Sequence, residues 1–327
     1  MTLLAVEDLT VSLPTRRGWA RAVRDLSFTL DRGQTLGLVG ESGCGKSMTA
    51  LALMGLQPEG ARVAGRIALD GEDLLTLDER DLCRIRGNRM AMIFQEPMTA
   101  LNPLQPIGRQ VSEPLRLHRR VGRAEAEREA VRLLDRVGLP NAAQRSHAHP
   151  HMLSGGQRQR AMIAMALACG PDLLIADEPT TALDVTIQGQ ILDLVIELVD
   201  ERGMALILIT HDLGVIAETV DRVIVMYGGA GVEEASSEAL FDYRAHPYSQ
   251  GLFAALPQIG LARGARLEPI PGTVPDLADL PDACTFVDRC PIAAGACRAA
   301  PPPPLAVAPG HRARCIRLDE ARNRSIR

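Results

Sequence analysis

Strand-like apolar runs alternate with helical repeats along most of the chain. The apolar runs typical of strands are 3–13, 24–30, 35–39, 62–70, 90–94, 172–176, 205–210 and 222–226. Apolar residues recur at helical spacing in 48–54, 123–137, 157–169, 185–202 and 213–219. This alternation of short apolar strands with helices predicts an α/β fold whose mostly parallel sheet is covered on both faces.

Two regions depart from the alternation. Residues 96–170 begin with several prolines and continue with two predicted helices, which indicates a helical insertion within a domain of residues 1–255. Beyond residue 255 the strand and helix pattern gives way to proline- and glycine-rich sequence, including Pro301–Pro304. We therefore predict a small loop-rich extension over residues 256–327.

The most specific motif is a phosphate-loop pattern near the start of the chain. The segment Gly40-Glu41-Ser42-Gly43-Cys44-Gly45-Lys46-Ser47 fits G-x-x-x-x-G-K-[ST], with a predicted strand before it and a helical run from Met48 after it. Glycines let backbone N–H groups face an anion, and the helix adds the positive end of its dipole. The motif predicts a nucleotide site over residues 40–48, with Lys46 on the β- and γ-phosphates and Ser47 on Mg²⁺. The alternative is a glycine-rich turn that matches the pattern by chance.

Composition singles out Lys46 independently. Of the 36 Lys and Arg residues in the chain, Lys46 is the only lysine. A compact ammonium in a phosphate cradle is not replaced by a planar guanidinium, so the exception favours phosphate contact.

Two acidic residues follow the apolar run Leu173–Ala176. Asp177, at the tip of the predicted strand, is placed to hold the water shell of Mg²⁺. Glu178 points elsewhere and can orient or deprotonate an attacking water. Taken alone, the pair fits an ordinary strand end with solvated acids equally well.

A third motif, Leu153-Ser154-Gly155-Gly156-Gln157, opens the predicted helix 157–169. Ser154 is a favourable N-cap, and the two glycines clear space for a close anion. A second helix N-terminus aimed at phosphate is redundant within one site. We therefore expect Ser154–Gln157 to serve the nucleotide of another subunit.

With these motifs in this order, the chain resembles the ATPases of ATP-binding-cassette (ABC) transporters. The resemblance implies a P-loop core with a mostly parallel sheet, an antiparallel β subdomain and two cassettes packed head to tail. Each ATP would lie between the phosphate loop of one cassette and Ser154-Gly155-Gly156-Gln157 of the other. The resemblance also implies that Gln95 reaches Mg²⁺ and the attacking water, and that Asp184 lies in a loop crossing the dimer seam. His211 would be a switch histidine that promotes hydrolysis together with Glu178.

Three segments are similar to the dipeptide and oligopeptide importer branch of that family: 92–103, 178–186 and 246–252. This similarity implies that ATP hydrolysis powers uptake of dipeptides or oligopeptides. Nickel, glutathione and other small solutes stay open as alternatives, because their importers share these features. The implied partners are a second, related but distinct ATPase subunit, two permease subunits and an extracytoplasmic solute-binding protein.

One element departs from the family, which usually stacks an aromatic ring on adenine from a position N-terminal to the phosphate loop. Trp19 is the aromatic residue available in that segment. Capping a hairpin is its alternative role.

Charge and hydropathy limit the function classes. The formal net charge of −4 gives no general basic field for nucleic acid. No apolar run approaches a membrane span, and the N-terminus lacks a signal-peptide pattern. We expect a peripheral subunit on the cytoplasmic face of the inner membrane, held there by its partners.

The rival class is a soluble ABC ATPase acting on DNA or ribosomes. Such proteins usually carry two cassettes, a long coiled coil or a basic arm, which this sequence lacks.

The predicted extension contains four cysteines with the spacing C-x5-C-x6-C-x17-C: Cys284, Cys290, Cys297 and Cys315. Four thiols in a core-poor segment predict a metal group that keeps it folded. The gaps exceed the paired spacing of zinc ribbons, and a proline follows Cys290 as in bacterial ferredoxin runs. Both features favour a [4Fe–4S] cluster over Zn²⁺. Four reduced thiols without metal are the third alternative.

Overall fold

The computed structural model describes residues 1–180, 185–255 and 269–325. The chain divides into two compact units. The first unit contains Met1–Leu4, Thr29–Thr35 and Ala68–Ile209, and the second contains Ala5–Phe28, Leu36–Ile67 and Thr210–Arg327. Asp184 lies outside the described residues.

The regular elements of the described residues follow the predicted alternation of strands and helices. The strands are β1 (Thr2–Thr15), β2 (Gly18–Asp31), β3 (Thr35–Val39), β4 (Arg62–Leu69), β5 (Glu72–Asp73), β6 (Met90–Ile93), β7 (Leu173–Asp177), β8 (Ala205–Ile209), β9 (Arg222–Tyr227), β10 (Ala230–Ser236), β11 (Leu305–Ala308) and β12 (His311–Ala313). The α-helices are α1 (Lys46–Leu53), α2 (Glu79–Ile85), α3 (Pro97–Ala100), α4 (Ile107–Pro114), α5 (Arg123–Arg136), α6 (Ala142–Arg145), α7 (Gly155–Ala166), α8 (Val185–Arg202), α9 (Leu213–Thr219), α10 (Ser237–Asp242), α11 (Pro247–Ala254) and α12 (Leu318–Ser325).

The first unit is built on three adjacent parallel strands, β6, β7 and β8. Met90 lies opposite Leu173, and Leu173 opposite Ala205. Every residue of these strands is buried. Burial on both faces explains why the three sequences are continuously apolar and confirms the prediction of parallel strands here.

Helices occupy the predicted insertion of the first unit. The amphipathic α5 buries Ala126, Ala130, Leu133 and Leu134, which recur at helical spacing. Upstream, α3 and α4 are short, and a π-helical turn, Leu115–Arg119, follows α4. The prolines predicted to break this region therefore separate short helices rather than abolish helical structure.

The sheet strands of the second unit run in the order β11-β12-β10-β9-β3. β3 and β9 are parallel, with Leu36 opposite Arg222. β10 pairs antiparallel with both β9 and β12. In a separate sheet of the second unit, β1 lies between β2 and β4. Within the first unit, the last residues of β4 pair antiparallel with β5, with Ala68 opposite Asp73, which supports the predicted antiparallel subdomain.

Several short elements were not predicted from the sequence, and α2 and β12 show why. Helix α2 was missed because its seven residues are too short and too charged to show an apolar repeat. Its start is marked instead by Asp78, whose side chain accepts a hydrogen bond from the N–H of Asp81 at 2.9 Å. Strand β12 pairs with β10, with Glu233 opposite Ala313, so the sheet of the second unit includes strands from the predicted extension. The boundary at residue 255 stays a prediction.

Candidate functional site

The phosphate loop lies between β3 and α1 in the second unit, as the motif requires. Gly40 and Gly45 have φ angles of 148° and 103°, a region that residues with side chains rarely adopt. A Cβ on Gly40 would collide with the carbonyl oxygen of Met226, and a Cβ on Gly45 with that of Ala22. The loop therefore needs glycine at both positions to bring its backbone this close to β9 and β2.

The remaining loop residues divide by exposure. Ser42 and Gly43 are exposed, Cys44 is buried, and Ser47 and Met48 are half-buried in the first turn of α1. Burial raises the pKa of the Cys44 thiol, against the opposing charge of Lys46, so Cys44 is a neutral structural residue. The exposed Ser42 and Gly43 leave the open side of the loop accessible to an anion.

Lys46 is almost fully buried, and its ammonium lies over the loop. Its Nζ donates to the carbonyl oxygens of Gly40 at 2.8 Å and Glu41 at 3.1 Å. The single lysine of the chain is thus held where the motif predicts the phosphates to bind.

In the first unit, the predicted acidic pair lies at the end of β7. Asp177 is its last residue and is only 4% exposed. Glu178 has a φ of 44°, and its N–H donates to the carbonyl oxygen of Ile209 at 2.9 Å. Gln95, two residues after β6, donates from Nε2 to Oε2 of Glu178 at 3.2 Å. The structure therefore brings Gln95 and Glu178 together.

Helix α7, also in the first unit, begins at Gly155 with Ser154 as its N-cap. The Ser154 Oγ accepts from the Gln157 N–H at 3.4 Å, and the Gln157 Oε1 accepts from the Ser154 N–H at 3.2 Å. Arg145 also donates to Oε1 of Gln157 at 3.0 Å. This reciprocal capping box confirms that Ser154 is the N-cap. Ser154 and Gly155 are exposed and Gly156 is half-buried, so this helix start is accessible.

His211 is exposed and lies between the end of β8 and α9. The next residue, Asp212, caps α9 by accepting from the N–H groups of Gly214 at 2.8 Å and Val215 at 3.3 Å. The cap fixes the chain direction immediately after His211.

The aromatic candidate for adenine packs against an arginine. Trp19 is at the start of β2 and is 47% exposed. The guanidinium carbon of Arg62 lies 3.8 Å from its ring centroid, a cation–π contact. This contact gives Trp19 a packing role beside the β1–β2 hairpin, and its stacking on adenine stays a prediction.

All four cysteines of the predicted extension line one cavity in the second unit: Cys284, Cys290, Cys297 and Cys315. Burial, reinforced by the neighbouring cysteines, raises the pKa of Cys284 to about 11 and also raises that of Cys315. Across the residues that the structure describes, no three His, Cys, Asp or Glu side chains are arranged to hold a single metal ion. The four cysteines singled out by their spacing therefore line one cavity, but they form no group that could hold a metal ion among the residues that the structure describes.

Sequence patterns gave no sign of two contacts that hold the phosphate loop. Arg289 forms two hydrogen bonds with the carboxylate of Glu41, at 2.7 and 3.1 Å. The hydroxyl of Tyr248 accepts from the N–H of Glu41 at 2.8 Å. The partners are 248 and 207 positions apart, so no local periodicity links them.

Two family models match the chain. The model for ABC transporters matches residues 23–181, and the model for the C-terminal region of oligopeptide and dipeptide transporters matches residues 232–297. The first match includes the phosphate loop, the capped start of α7 and the acidic pair after β7. The second reaches three of the four cysteines that line the cavity.

Two proteins whose names describe peptide import or oligopeptide transport are similar to this chain. A peptide import ATP-binding protein of Brucella abortus is 50% identical over 330 residues, covering 97% of this chain and 98% of that protein. The oligopeptide transport ATP-binding protein OppD of Salmonella typhimurium is 51% identical over 300 residues, covering 92% of this chain and 89% of that protein. Both similarities extend over nearly the full length of each chain.

Among solved structures, the dimeric ATP-binding cassette MJ0796, in a post-hydrolysis state with ADP and Pi, is similar to this chain. Its TM-score is 0.65 and its sequence identity 27%, over 72% of this chain and 99% of that one. Across the described residues, no helix has the length and apolar character needed to cross a membrane.

Proposed function

Because the chain belongs to the family of ATP-binding subunits of peptide ABC transporters, we propose that it hydrolyses ATP to power uptake of dipeptides and oligopeptides. The observation that carries the proposal is the phosphate loop, whose glycine conformations and single lysine suit a triphosphate. The near-full-length similarity to proteins named for peptide import and oligopeptide transport supports the peptide substrate. Nickel and glutathione are the alternative solutes.

In this proposal the loop residues 40–48 bind the triphosphate. Lys46 exchanges its contacts with the carbonyls of Gly40 and Glu41 for the β- and γ-phosphates. The N–H groups at the start of α1 face the same anion. Both contributions are electrostatic, so the affinity depends on the loop keeping its shape.

The residues that would hold Mg²⁺ are Ser47, Gln95 and Asp177. They supply hydroxyl, carboxamide and carboxylate oxygens, the hard donors that Mg²⁺ prefers, and Asp177 is held nearly buried at a strand end. When bound, Mg²⁺ neutralises negative charge that develops on the phosphates.

Hydrolysis in this scheme needs a base for water. Glu178 accepts a proton on its carboxylate as the water oxygen attacks the γ-phosphorus and the bond to ADP breaks. The hydrogen bond from Gln95 to Oε2 of Glu178 holds that carboxylate in one orientation. His211 stabilises the charge that develops on the departing phosphate.

A second cassette would complete the site. In this proposal Ser154, Gly155, Gly156 and Gln157 meet the phosphates of a partner's ATP, and the accessible, capped start of α7 supports that role. Asp184 would lie at the same seam. The dimeric state named for the MJ0796 cassette supports this arrangement.

The remaining partners would be membrane and extracytoplasmic proteins. We assign the chain to the cytoplasmic face of the inner membrane, as a peripheral subunit paired with a related but distinct ATPase. The helical insertion, 96–170, would contact two permease subunits, which receive the solute from a binding protein. The names of the OppD and peptide import relatives support a transporter assembly.

We also propose that the cysteine-lined cavity holds a [4Fe–4S] cluster, with Zn²⁺ as the alternative. A cluster binds its four thiolates on four separate iron atoms. The observation that supports a metal group is that Cys284, Cys290, Cys297 and Cys315 line one cavity. When bound, the cluster would supply cross-linking that holds the loop-rich segment folded.

The proposal is tested by reconstituting the chain with its permeases, partner ATPase and binding protein in liposomes. ATP-dependent uptake of labelled dipeptides and longer peptides is compared with uptake of nickel and glutathione. The matched variant is Lys46→Arg, which keeps the positive charge but lacks the compact ammonium, and we expect uptake and hydrolysis to be lost. Uptake restricted to nickel or glutathione would reject the peptide substrate, and ATP-independent uptake would reject the ATPase role.

A further inference from the structure

Glu41 is the second residue of the phosphate loop, and its side chain is held by an arginine from the C-terminal part of the chain. Two guanidinium nitrogens of Arg289 donate to the two carboxylate oxygens of Glu41, at 2.7 and 3.1 Å. We propose that Arg289 is a positioning residue for ATP, which sets the shape of the phosphate loop through Glu41. The inference rests on the proposed function, because it requires the loop to bind ATP.

Arg289 is built into its position. Its side chain is 5% exposed. Its Nε donates to the carbonyl oxygen of Pro271 at 2.9 Å, and Nη2 also approaches that of Ile270 at 3.4 Å. The guanidinium lies 5.6 Å from the ring centroid of Tyr227, whose hydroxyl accepts from Nη1 at 3.4 Å. A guanidinium fixed by this many partners presents its fork to Glu41 in one orientation.

The backbone of the same loop residue is held separately. Tyr248, which is fully buried in α11, accepts from the Glu41 N–H at 2.8 Å. Its ring packs against Tyr227 and Phe286, with centroids 4.7 and 5.4 Å apart. Burial raises the pKa of Tyr248, so the hydroxyl stays neutral and keeps this role over the working pH range. Glu41 is therefore positioned through both its side chain and its backbone.

The same loop residues contact Lys46. The carbonyl oxygens of Gly40 and Glu41 are the acceptors for Nζ of Lys46. If the backbone of Glu41 rotates, its carbonyl oxygen, which accepts a hydrogen bond from Lys46, moves with it. Arg289 therefore acts on the phosphate contacts without touching the nucleotide.

The contact between Arg289 and Glu41 also connects the phosphate loop to the segment that contains the four cysteines. Arg289 directly precedes Cys290, and Phe286 lines the same cavity as the four thiols. The match to the C-terminal family model, residues 232–297, includes Tyr248, Phe286 and Arg289. The segment matched by that model therefore supplies the contacts that shape the nucleotide loop.

The test measures ATP affinity and steady-state hydrolysis of the full-length chain with its partners, with urea unfolding in the absence of nucleotide. For Arg289→Gln and Glu41→Gln we expect KM and Kd for ATP to rise about tenfold, with kcat changed less than about twofold, because binding and not chemistry is affected. The double variant should be no worse than either single variant, since both remove the same interaction. Tyr248→Phe, which keeps the ring packing, should weaken ATP binding in the same direction.

Arg298→Ala is the matched control. It removes an exposed ion pair with Asp288, at 2.7 Å, from the same segment, and it should leave ATP affinity unchanged. If Arg289→Gln lowers only the unfolding free energy and leaves Kd for ATP as in wild type, Arg289 is merely structural and the proposal is wrong. Partial rescue by Arg289→Lys supports a positioning role for the charge. If the wild-type chain and the control also fail to bind ATP, the proposed function itself fails.

Discussion

Gln95 and Glu178 are joined by a hydrogen bond of 3.2 Å from Nε2 to Oε2, although 83 positions separate them in the chain. They follow the adjacent parallel strands β6 and β7, whose C-terminal ends meet at one edge of the sheet. Glu178 also adopts a left-handed backbone conformation, with φ of 44°, which costs free energy in a residue with a side chain. The orientation of the Glu178 carboxylate is therefore set by both its backbone conformation and its hydrogen bond with Gln95.

This arrangement predicts the behaviour of Glu178→Gln. The carboxamide has nearly the same shape as the carboxylate but does not accept the proton of an attacking water. We expect hydrolysis to fall by about 10²- to 10⁴-fold, while ATP still binds. Phosphate release in single-turnover conditions and nucleotide binding by calorimetry measure the two effects separately.

Two further variants show whether the loss of hydrolysis in Glu178→Gln comes from the Glu178 carboxylate itself. Gln95→Ala should reduce hydrolysis less than Glu178→Gln, because it loosens the carboxylate without removing it. Glu96→Gln is the control, since Glu96 is exposed and its side chain makes no cap contact with α3. Turnover of Glu178→Gln close to wild type would show that another group deprotonates the water.

Ser154 caps α7, and in the proposed function it also contacts a partner's nucleotide. Aspartate caps helices as well as serine does, so Ser154→Asp should keep the unfolding free energy close to wild type. Its negative charge would repel phosphate, and we expect ATP-dependent pairing of cassettes to be lost. Ser154→Ala should instead cost about 1 kcal/mol of stability, because the capping box is broken.

Sedimentation with and without ATP, together with urea unfolding, distinguishes these outcomes. Ser236→Asp serves as a control for added charge, because Ser236 is also an exposed N-cap, at the start of α10. Normal ATP-dependent pairing by Ser154→Asp would show that the start of α7 does not meet a partner's phosphates.

The contrast between Ser154 and Arg289 shows how far sequence reasoning reaches. The α7 cap and the phosphate loop are defined by residues a few positions apart, so local chemistry was sufficient to predict them. Glu41 and Arg289 are brought together only by the packing of distant segments, and Arg289 carries no motif of its own. The pairing of β12 with β10 also joins distant segments, so it was not predicted. In addition, β12 has only three residues, His311–Ala313, which is too short a pattern to predict a strand.

The buried side chain of His246 should make the free energy of unfolding depend on pH. Its Nδ1 accepts from the Tyr248 N–H at 3.1 Å and so caps α11 as a neutral ring. Burial lowers its pKa from 6.5 to about 4, despite the opposing charge of Glu233. Above pH 6.5 His246 is neutral in both the folded and unfolded states, and its contribution to stability is fully present. As the pH falls from 6.5 to about 4, only the unfolded chain takes up the proton, so up to about 3 kcal/mol is lost.

His246→Asn tests this dependence, because asparagine can accept the same cap hydrogen bond but does not titrate. The variant should lose the part of the slope that His246 causes in a plot of unfolding free energy against pH. His118→Asn, at a less buried histidine, is the comparison. An unchanged slope between pH 6.5 and 4 in His246→Asn would contradict the assignment.

The four-cysteine cavity predicts a specific metal content for chain purified without oxygen. Because four thiols line one cavity, the proposed cluster predicts about four iron and four sulfide per chain, with broad visible absorption, and less than one zinc. Cys290→Ser should lower the iron content and the unfolding midpoint together, since the cluster would hold the segment folded. Cys83→Ser is the control, because Cys83 is exposed in α2 and does not line the cavity. One zinc per chain would favour the alternative metal, whereas colourless protein with neither metal would reject the cluster and leave four reduced thiols.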